Sequence, residues 1–327
     1  MKTSNHLLRR LTAALLAAVL ALSIALPVFA SDDGDTIYIN SVSDLLSLAR
    51  NCAYDQWSVG KTVILQKDLS LEGMLWEPIP SFSGQFKGNG HTISDLTITG
   101  QYSPAGLFGI VEEQGSIESL SVRGVVSVSD SADTTTGGIV GVNHGTLISC
   151  QFTGVVTGDS EVGGIVGRNE SEGTIDHGTA RAIVTGKSST GGIAGYNLGA
   201  ITGCTNVGSI NTEYPEASLD TDGFTAKMVD YINNKMAAAD NDATNSVTNV
   251  ATDTGGIAGR SSGMILTSVN TGTIGYEHVG YNVGGIVGRT DGLVSGCVNQ
   301  GRVLGRKDVG GIAGQAEPYR ELDLSKD

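Results

Sequence analysis

One phrase, Val162-Gly163-Gly164-Ile165-Val166-Gly167, is repeated along most of this chain. Close copies stand at 137–141, 191–195, 255–259, 284–288 and 310–314, with a looser version, AGLFG, at 105–109. Counted from the first residue of each copy, the steps are 32, 26, 28, 64, 29 and 26 residues. A recurrence of about 27 residues marks one supersecondary unit stacked on copies of itself.

Composition narrows the unit. Glycine supplies 47 of 327 residues, about twice the usual share of roughly 7%. There is no Gly-X-Y period and Val, Ile and Leu are plentiful, which excludes collagen and a disordered Gly/Ser tract. Glycine among β-branched residues suits short strands joined by tight turns.

Residues 1–30 read as a signal peptide. Lys2, Arg9 and Arg10 form a basic head, Leu11 to Leu26 an apolar run, and Val28-Phe29-Ala30 a small-residue cleavage site before Ser31. The run is short and ends in Pro27, so secretion is expected over an uncleaved anchor. Removing it leaves 17 Lys+Arg against 34 Asp+Glu and takes the formal net charge from −14 to −17. Such a surface repels nucleic acid and anionic lipid. Neither nucleic acid nor a membrane is expected as a partner of the mature chain.

Cys150, Cys204 and Cys297 fall at one position of the repeat, with Gly178 and Ser268 there in the repeats between. Coils at strand spacing put equivalent residues two coils apart at roughly 9–10 Å, beyond the ~7 Å reach of a disulfide. Buried free thiols are the expectation.

In chain order, 31–75 reads as an N-terminal cap of strand, helix and strand. Ile37–Ile39 is its first strand, and Ser41-Val42-Ser43-Asp44 is a capping box opening a short helix. Lys61–Leu71 is the second strand. From 76 to 315 the repeat takes over, each unit read as three strands and three turns. Gly-Gly-Ile-Val/Ala-Gly is the first strand, Gly145–Cys150 an example of the second and Gly154–Gly158 of the third. A unit of 26–29 residues built so is one coil of a parallel β-helix. Ile139, Ile165, Ile193, Ile257, Ile286 and Ile312 then form a core column. Asn143, Asn169 and Asn197 stack in a turn, giving way to Ser261 and Thr290, and Asn206, Asn270 and Asn299 form a second column.

The period breaks at about 212–250, where Phe224, Met228, Val229, Ile232 and Met236 recur at helical spacing. This inserted helix is read as packed on the solenoid flank, with a partner-binding protrusion as the alternative. Residues 316–327 leave the repeat and read as a C-terminal segment opening a further region. The fold class is therefore all-β: a parallel β-helix (solenoid) with an N-terminal capping helix and one inserted α-helix.

The GGIVGRN and GGIAGYN units, each followed by GxI, a Cys position and a further glycine, resemble the GLUG-type repeats of bacterial secreted and cell-surface proteins. The upstream FSGQFKGNGHTISDLTI and AGLFG segments resemble that family's lead-in, so the likeness covers roughly 61–315. It implies a right-handed parallel β-helix and an exported, Gram-positive bacterial protein with adhesin-like neighbours. The peptidase regions that accompany some members have no counterpart motif in this chain.

Motifs for chemistry are sparse. There is no His-Glu-x-x-His and no Cys pair at metal spacing. Gly186-Lys187-Ser188 lacks the glycine of a phosphate loop, Arg181 standing in its place. Gly88-Asn89-Gly90 precedes a strand rather than a helix, and His91 beside it reads as a turn histidine bonded to backbone. Asp176-His177 reads as a local ion pair in a strand. The position after the glycine motif holds Val142, Arg168, Tyr196, Arg260, Arg289 and Gln315. Stacked Arg and Tyr there form a candidate ligand-binding stripe, extended by Tyr276, His278 and Tyr281. Screened surface pairs with Glu170, Glu172 and Asp291 are the plainer reading of the same residues. The expected role is structural or adhesive, presenting a solenoid face to a glycan or a surface protein without a cofactor, metal or catalytic residue. A polysaccharide lyase or glycoside hydrolase on the same scaffold is the second reading.

Overall fold

The computed structural model describes residues 35–54, 56–128, 134–212 and 251–317. The expected signal peptide, the helix expected around Phe224 and most of the expected C-terminal segment lie outside the described residues. The described chain from Thr36 onward is one compact unit. It is an all-parallel β-solenoid with a single helix, α1 (Val42–Asn51), among the described residues.

Each complete coil contributes to four sheets. In one coil Ser160–Gly163 lies in sheet D, Val166–Asn169 in sheet C, Thr174–Asp176 in sheet A and Thr179–Thr185 in sheet B. Sheets A and B have nine strands on their main paths, C has eight and D six. Equivalent residues pair in register, as in Arg168↔Tyr196 and Ile175↔Ile201. The expected three strands per coil become four because Gly-Gly-Ile-Val/Ala-Gly is not one strand. Its first glycine ends a strand of sheet D, the second glycine and Ile make the corner, and the final residues begin a strand of sheet C.

The three glycines of the motif answer three separate close approaches. A Cβ on Gly163 would collide with the carbonyl oxygen of Val166, closing the corner. One on Gly164 would collide with the Gly192 carbonyl of the next coil. One on Gly167 would lie 2.6 Å from Thr136 N, where sheets C and D pack backbone to backbone. The isoleucine between them carries the stacking. Ile139 N donates to Ile165 O at 2.9 Å, Ile165 N to Ile193 O at 3.1 Å, and the series runs on through Ile257 and Ile286 to Ile312. Ile139 to Ile286 are fully buried in this column, whereas Ile312, in the last described coil, is 41% exposed.

The interior changes character along the axis. Phe82, Phe86 and Phe108 pack with ring centroids 5.4–6.3 Å apart at the N-terminal end. The column that begins Phe82, Val111 continues as Asn143, Asn169, Asn197, Ser261 and Thr290. These polar residues are buried at strand ends and point inward, rather than standing in an exposed turn. Asn143 Nδ2 donates to Asn169 Oδ1 at 2.8 Å, Asn169 to Asn197 at 2.8 Å, and Asn197 to Ser261 Oγ at 3.0 Å. The second column repeats this, with Asn206 to Asn270 at 2.7 Å and Asn270 to Asn299 at 2.8 Å. Each of these three also bonds both backbone groups of the glycine two residues on or that glycine's carbonyl and N–H at 3.0–3.2 Å. A buried amide so satisfied contributes roughly 1 kcal/mol per bond and costs more when stripped of a partner.

At the N-terminal end α1 packs on the strands Thr36–Ile39 and Ile79–Phe82, with Leu45 and Leu48 buried. Ser41 Oγ accepts from Asp44 N at 3.2 Å, as the capping box anticipates, while Asp44 Oδ2 reaches one residue further back than expected and accepts from Asn40 N at 2.9 Å. The stretch 61–71 forms two strands, Thr62–Leu65 and Leu69–Ser70, because the chain turns a corner at Lys67-Asp68.

Cys52, Cys150, Cys204 and Cys297 are free. Burial pushes the thiols of Cys150 and Cys204 up to about 12, and that of Cys52 to about 11. A thiol that ionises less readily folded than unfolded stabilises the fold below its unfolded value. That contribution falls as pH climbs from near 9 toward 12. Native protein at pH 8 is therefore expected to leave Cys150 and Cys204 unmodified by iodoacetamide, as read by intact mass, and to lose stability progressively above pH 9. Rapid labelling of either thiol in the folded state would contradict this placement.

Sheet D carries a column in which Thr136, Val162, Thr190, Thr254 and Val283 succeed one another. Thr254 Oγ1 accepts from Asn211 Nδ2 at 3.0 Å, but the buried hydroxyls of Thr136 and Thr190 have no protein partner among the described residues. Thr190→Val keeps the shape and removes the orphan hydroxyl, so it should stabilise the fold by about 1 kcal/mol in denaturant unfolding. Asn169→Ala, which strands Asn143 and Asn197 together, should destabilise it by roughly 2–3 kcal/mol.

Candidate ligand-binding face

Strands of sheet C alternate inward and outward, so the residue before each buried Asn, Ser or Thr points to solvent. Register pairing places Val142, Arg168, Tyr196, Arg260, Arg289 and Gln315 in one outward column. All six are half-buried. The rings and guanidinium groups meet: Arg168 Cζ and Arg260 Cζ each stand 5.1 Å from the Tyr196 ring centroid. One tyrosine is thus clasped between two cations, each contact worth about 0.5–1 kcal/mol at an exposed site. The Tyr196 hydroxyl lies 3.3 Å from Ser262 Oγ, which fixes the ring's direction.

Two further columns flank the stripe. On one side stand Glu112, His144, Glu170, Leu198, Ser262, Asp291 and Glu317, each the residue that follows the buried column. On the other side, sheet D places Glu161, Ser189, Asp253, Asn282 and Asp308 in left-handed backbone, φ 47–54°. Arg168 is held from both sides, by Glu161 at 2.7 Å and Glu170 at 2.6 Å, and these carboxylates raise its pKa against the opposing effect of burial. Arg289 bonds Glu317 at 2.6 Å. Asp253 Oδ1 instead accepts from Asn282 Nδ2 at 2.7 Å. Among the described residues, Arg260 meets the Tyr196 ring.

The left-handed column was missed in the sequence because its residue types differ from coil to coil. A fixed offset marks it: Glu161, Asp253 and Asn282 each stand seven residues before Arg168, Arg260 and Arg289. Tyr281 belongs to sheet D, paired with Thr252 and Lys307, and Tyr276 lies in the turn before it. Both precede the Arg289 strand in the same coil, and neither takes part in the Arg–Tyr stack. His278 is exposed in the same turn beside Glu277.

The remaining candidates are local. His177 Nδ1 lies 2.8 Å from Asp176 Oδ1, but His177 stands at a corner with φ 52° rather than inside a strand. The ring of His91 faces Asp68 Oδ1 at 3.2 Å, so its partner is a carboxylate and not backbone. Among the described residues no group of three His, Cys, Asp or Glu side chains is placed to hold a metal ion.

These features define a parallel β-solenoid repeat protein with an acid-flanked, aromatic-centred outer face. No family model matches the chain. It is 30% identical over 155 residues to Halomucin of Haloquadratum walsbyi, across 43% of this chain and 2% of that protein. It is 29% identical over 137 residues to a "Putative Gly-rich membrane protein" of Evansella cellulosilytica, across 30% of this chain and 16% of that one. The chain thus spans a small part of the curated relatives it matches. Among solved structures, a "putative immunoglobulin A1 protease" from Bacteroides ovatus superposes with a TM-score of 0.54 at 18% identity, covering 86% of this chain and 84% of that one. That likeness shows the shared fold.

Proposed function

We propose that this is an exported, surface-displayed solenoid of the GLUG-repeat kind, whose Arg/Tyr face binds a neutral glycan adhesively. The observation that carries the reading is the clasped ring of Tyr196 with Arg260 beside it. An aromatic face suits the apolar C–H face of a sugar, and a guanidinium suits its vicinal hydroxyls. The flanking columns carry seven carboxylates, Glu112, Glu161, Glu170, Asp253, Asp291, Asp308 and Glu317, which outnumber the three arginines. With a formal net charge of −14 on the whole chain, an anionic ligand gains little from Coulomb attraction. The matches to Halomucin and to a Gly-rich membrane protein support display at a surface. The basic, apolar and small-residue order of residues 1–30 supports export.

The enzymatic alternative would draw on Asp176. Its carboxylate is engaged by the adjacent His177 ring, and glycoside chemistry needs a second carboxylate placed across a bond.

A glycan array is the direct test. Arg260→Ala and Tyr196→Ala are each expected to weaken binding to neutral glycans about tenfold, the effect of losing about 1.4 kcal/mol. The triple change of Arg168, Arg260 and Arg289 to Ala should abolish it. Surface pairs of this kind are worth at most about 1 kcal/mol, so thermal unfolding should shift little and serve as the control. Unchanged array binding in the triple variant would remove the stripe from the account.

A further inference from the structure

The outward column that carries the stripe does not stop at Arg168. Toward the N-terminus it passes through Val142 and Ile110 to Ser81, in unbroken parallel register. At Ser81 it opens into a cleft of about 450 Å³. One wall is the strand and turn of Ser81 and Ser83, and the opposite wall is Glu112-Glu113-Gln114 from the following coil. The loop after α1 closes the third side with Gln56 and Val59.

The walls are fixed by bonds made beneath them. Ser81 Oγ donates to Glu112 Oε1 at 2.7 Å, tying the first two walls together. Ser58, 3% exposed, accepts from Ser83 N at 2.9 Å and pins the loop to the strand. Glu113 and Gln114 are exposed, and Val59, 44% exposed, adds an apolar patch. The lining is thus made of amides, hydroxyls and carboxylates around one apolar spot, with no lysine or arginine. That chemistry bonds sugar hydroxyls and disfavours phosphate, sulfate or uronate.

We propose that the cleft is the end subsite of one axial groove, holding the terminus of the neutral glycan whose other part lies on Tyr196 and Arg260. This inference rests on the stripe reading above and extends it. Ser81 and Arg260 are five strand steps apart in the column, roughly 24 Å at about 4.8 Å per step. Each step is close to the length of one sugar ring in an extended chain. Half-buried Ile110 and Val142 lie between, an apolar shelf for ring faces linking two polar ends. A short oligosaccharide reaches only one end, and a longer one reaches both, so affinity is gained through chain length.

The test uses the full chain and length series of neutral cello-, xylo- and manno-oligosaccharides, titrated calorimetrically. For the series that binds, affinity should rise with length until the chain spans the column. Glu113→Gln combined with Gln114→Ala, both exposed positions, should lower the affinity of the longest members about tenfold and leave the shortest unchanged. Arg260→Ala should weaken long and short members alike. If Arg260→Ala weakens binding but the cleft variant leaves the longest oligosaccharide unaffected, the end subsite is overturned and the stripe stands. If no member of any series binds, the stripe reading falls and takes the subsite with it.

Discussion

The coils of this protein meet at a glycine–isoleucine corner where a side chain in place of glycine would strike backbone. There the Ile165 carbonyl accepts from both Ile139 N, at 2.9 Å, and Val140 N, at 3.0 Å, and the pattern recurs with Ile193, Ile257, Ile286 and Ile312. Two donors on one carbonyl, with glycine immediately before the isoleucine, fix both the distance and the rotation between coils. A Cβ at Gly164 or Gly192 would push against the next carbonyl in the stack, so the constraint is renewed at each turn. Register elsewhere follows from it. Once the corner cannot slip, the strands of the four sheets align, and each outward position becomes a straight column.

Alignment has different consequences inside and outside. Inside, like residues stack on like, which suits isoleucine and is demanding for polar groups. The Asn columns meet that demand because an amide donates to the coil on one side and accepts from the other while bonding its own turn. Thr136 and Thr190 in sheet D meet it incompletely: each matches the shape of Val162 beside it, and its hydroxyl is left over. Outside, alignment concentrates chemistry. An arginine above a tyrosine above an arginine becomes a cation–π clasp, and acids on the neighbouring columns outnumber the arginines. The ligand proposed for it, a hydroxyl-rich and uncharged chain, suits such a surface better than a phosphate or sulfate would.

Much of this was legible in the chain because the repeat is nearly constant in length. The isoleucine column, both asparagine columns, the shared cysteine position and the Arg/Tyr stripe all follow from aligning steps of 26–29 residues. The number of sheets was not legible. Gly-Gly-Ile-Val-Gly looks like a strand by composition, and that it bends depends on the approach of Val166 O to Gly163, which no spacing reports. The inward direction of Asn143 was hidden likewise, since a polar residue beside a glycine also suits an exposed turn. The carboxylate that holds Arg168, Glu161, escaped because its column keeps a backbone shape, φ near 50°, without keeping a residue type. The N-terminal cleft escaped because it precedes the regular repeat and is completed by a loop from α1.

The stacking itself is tested most directly across the longest gap in the period. Ala200 and Met264 are 64 positions apart in sequence and register partners in sheet A, whereas Leu293 lies one coil beyond Met264. Neighbouring strands put partner Cα atoms about 4.8 Å apart, within the range of about 4.4–6.8 Å that a disulfide spans. Mild oxidation followed by peptide mapping should close the bridge in A200C/M264C and leave A200C/L293C open. A bridge that fails to form in the first variant, or forms equally in both, would contradict a solenoid in which like residues of successive coils lie directly over one another.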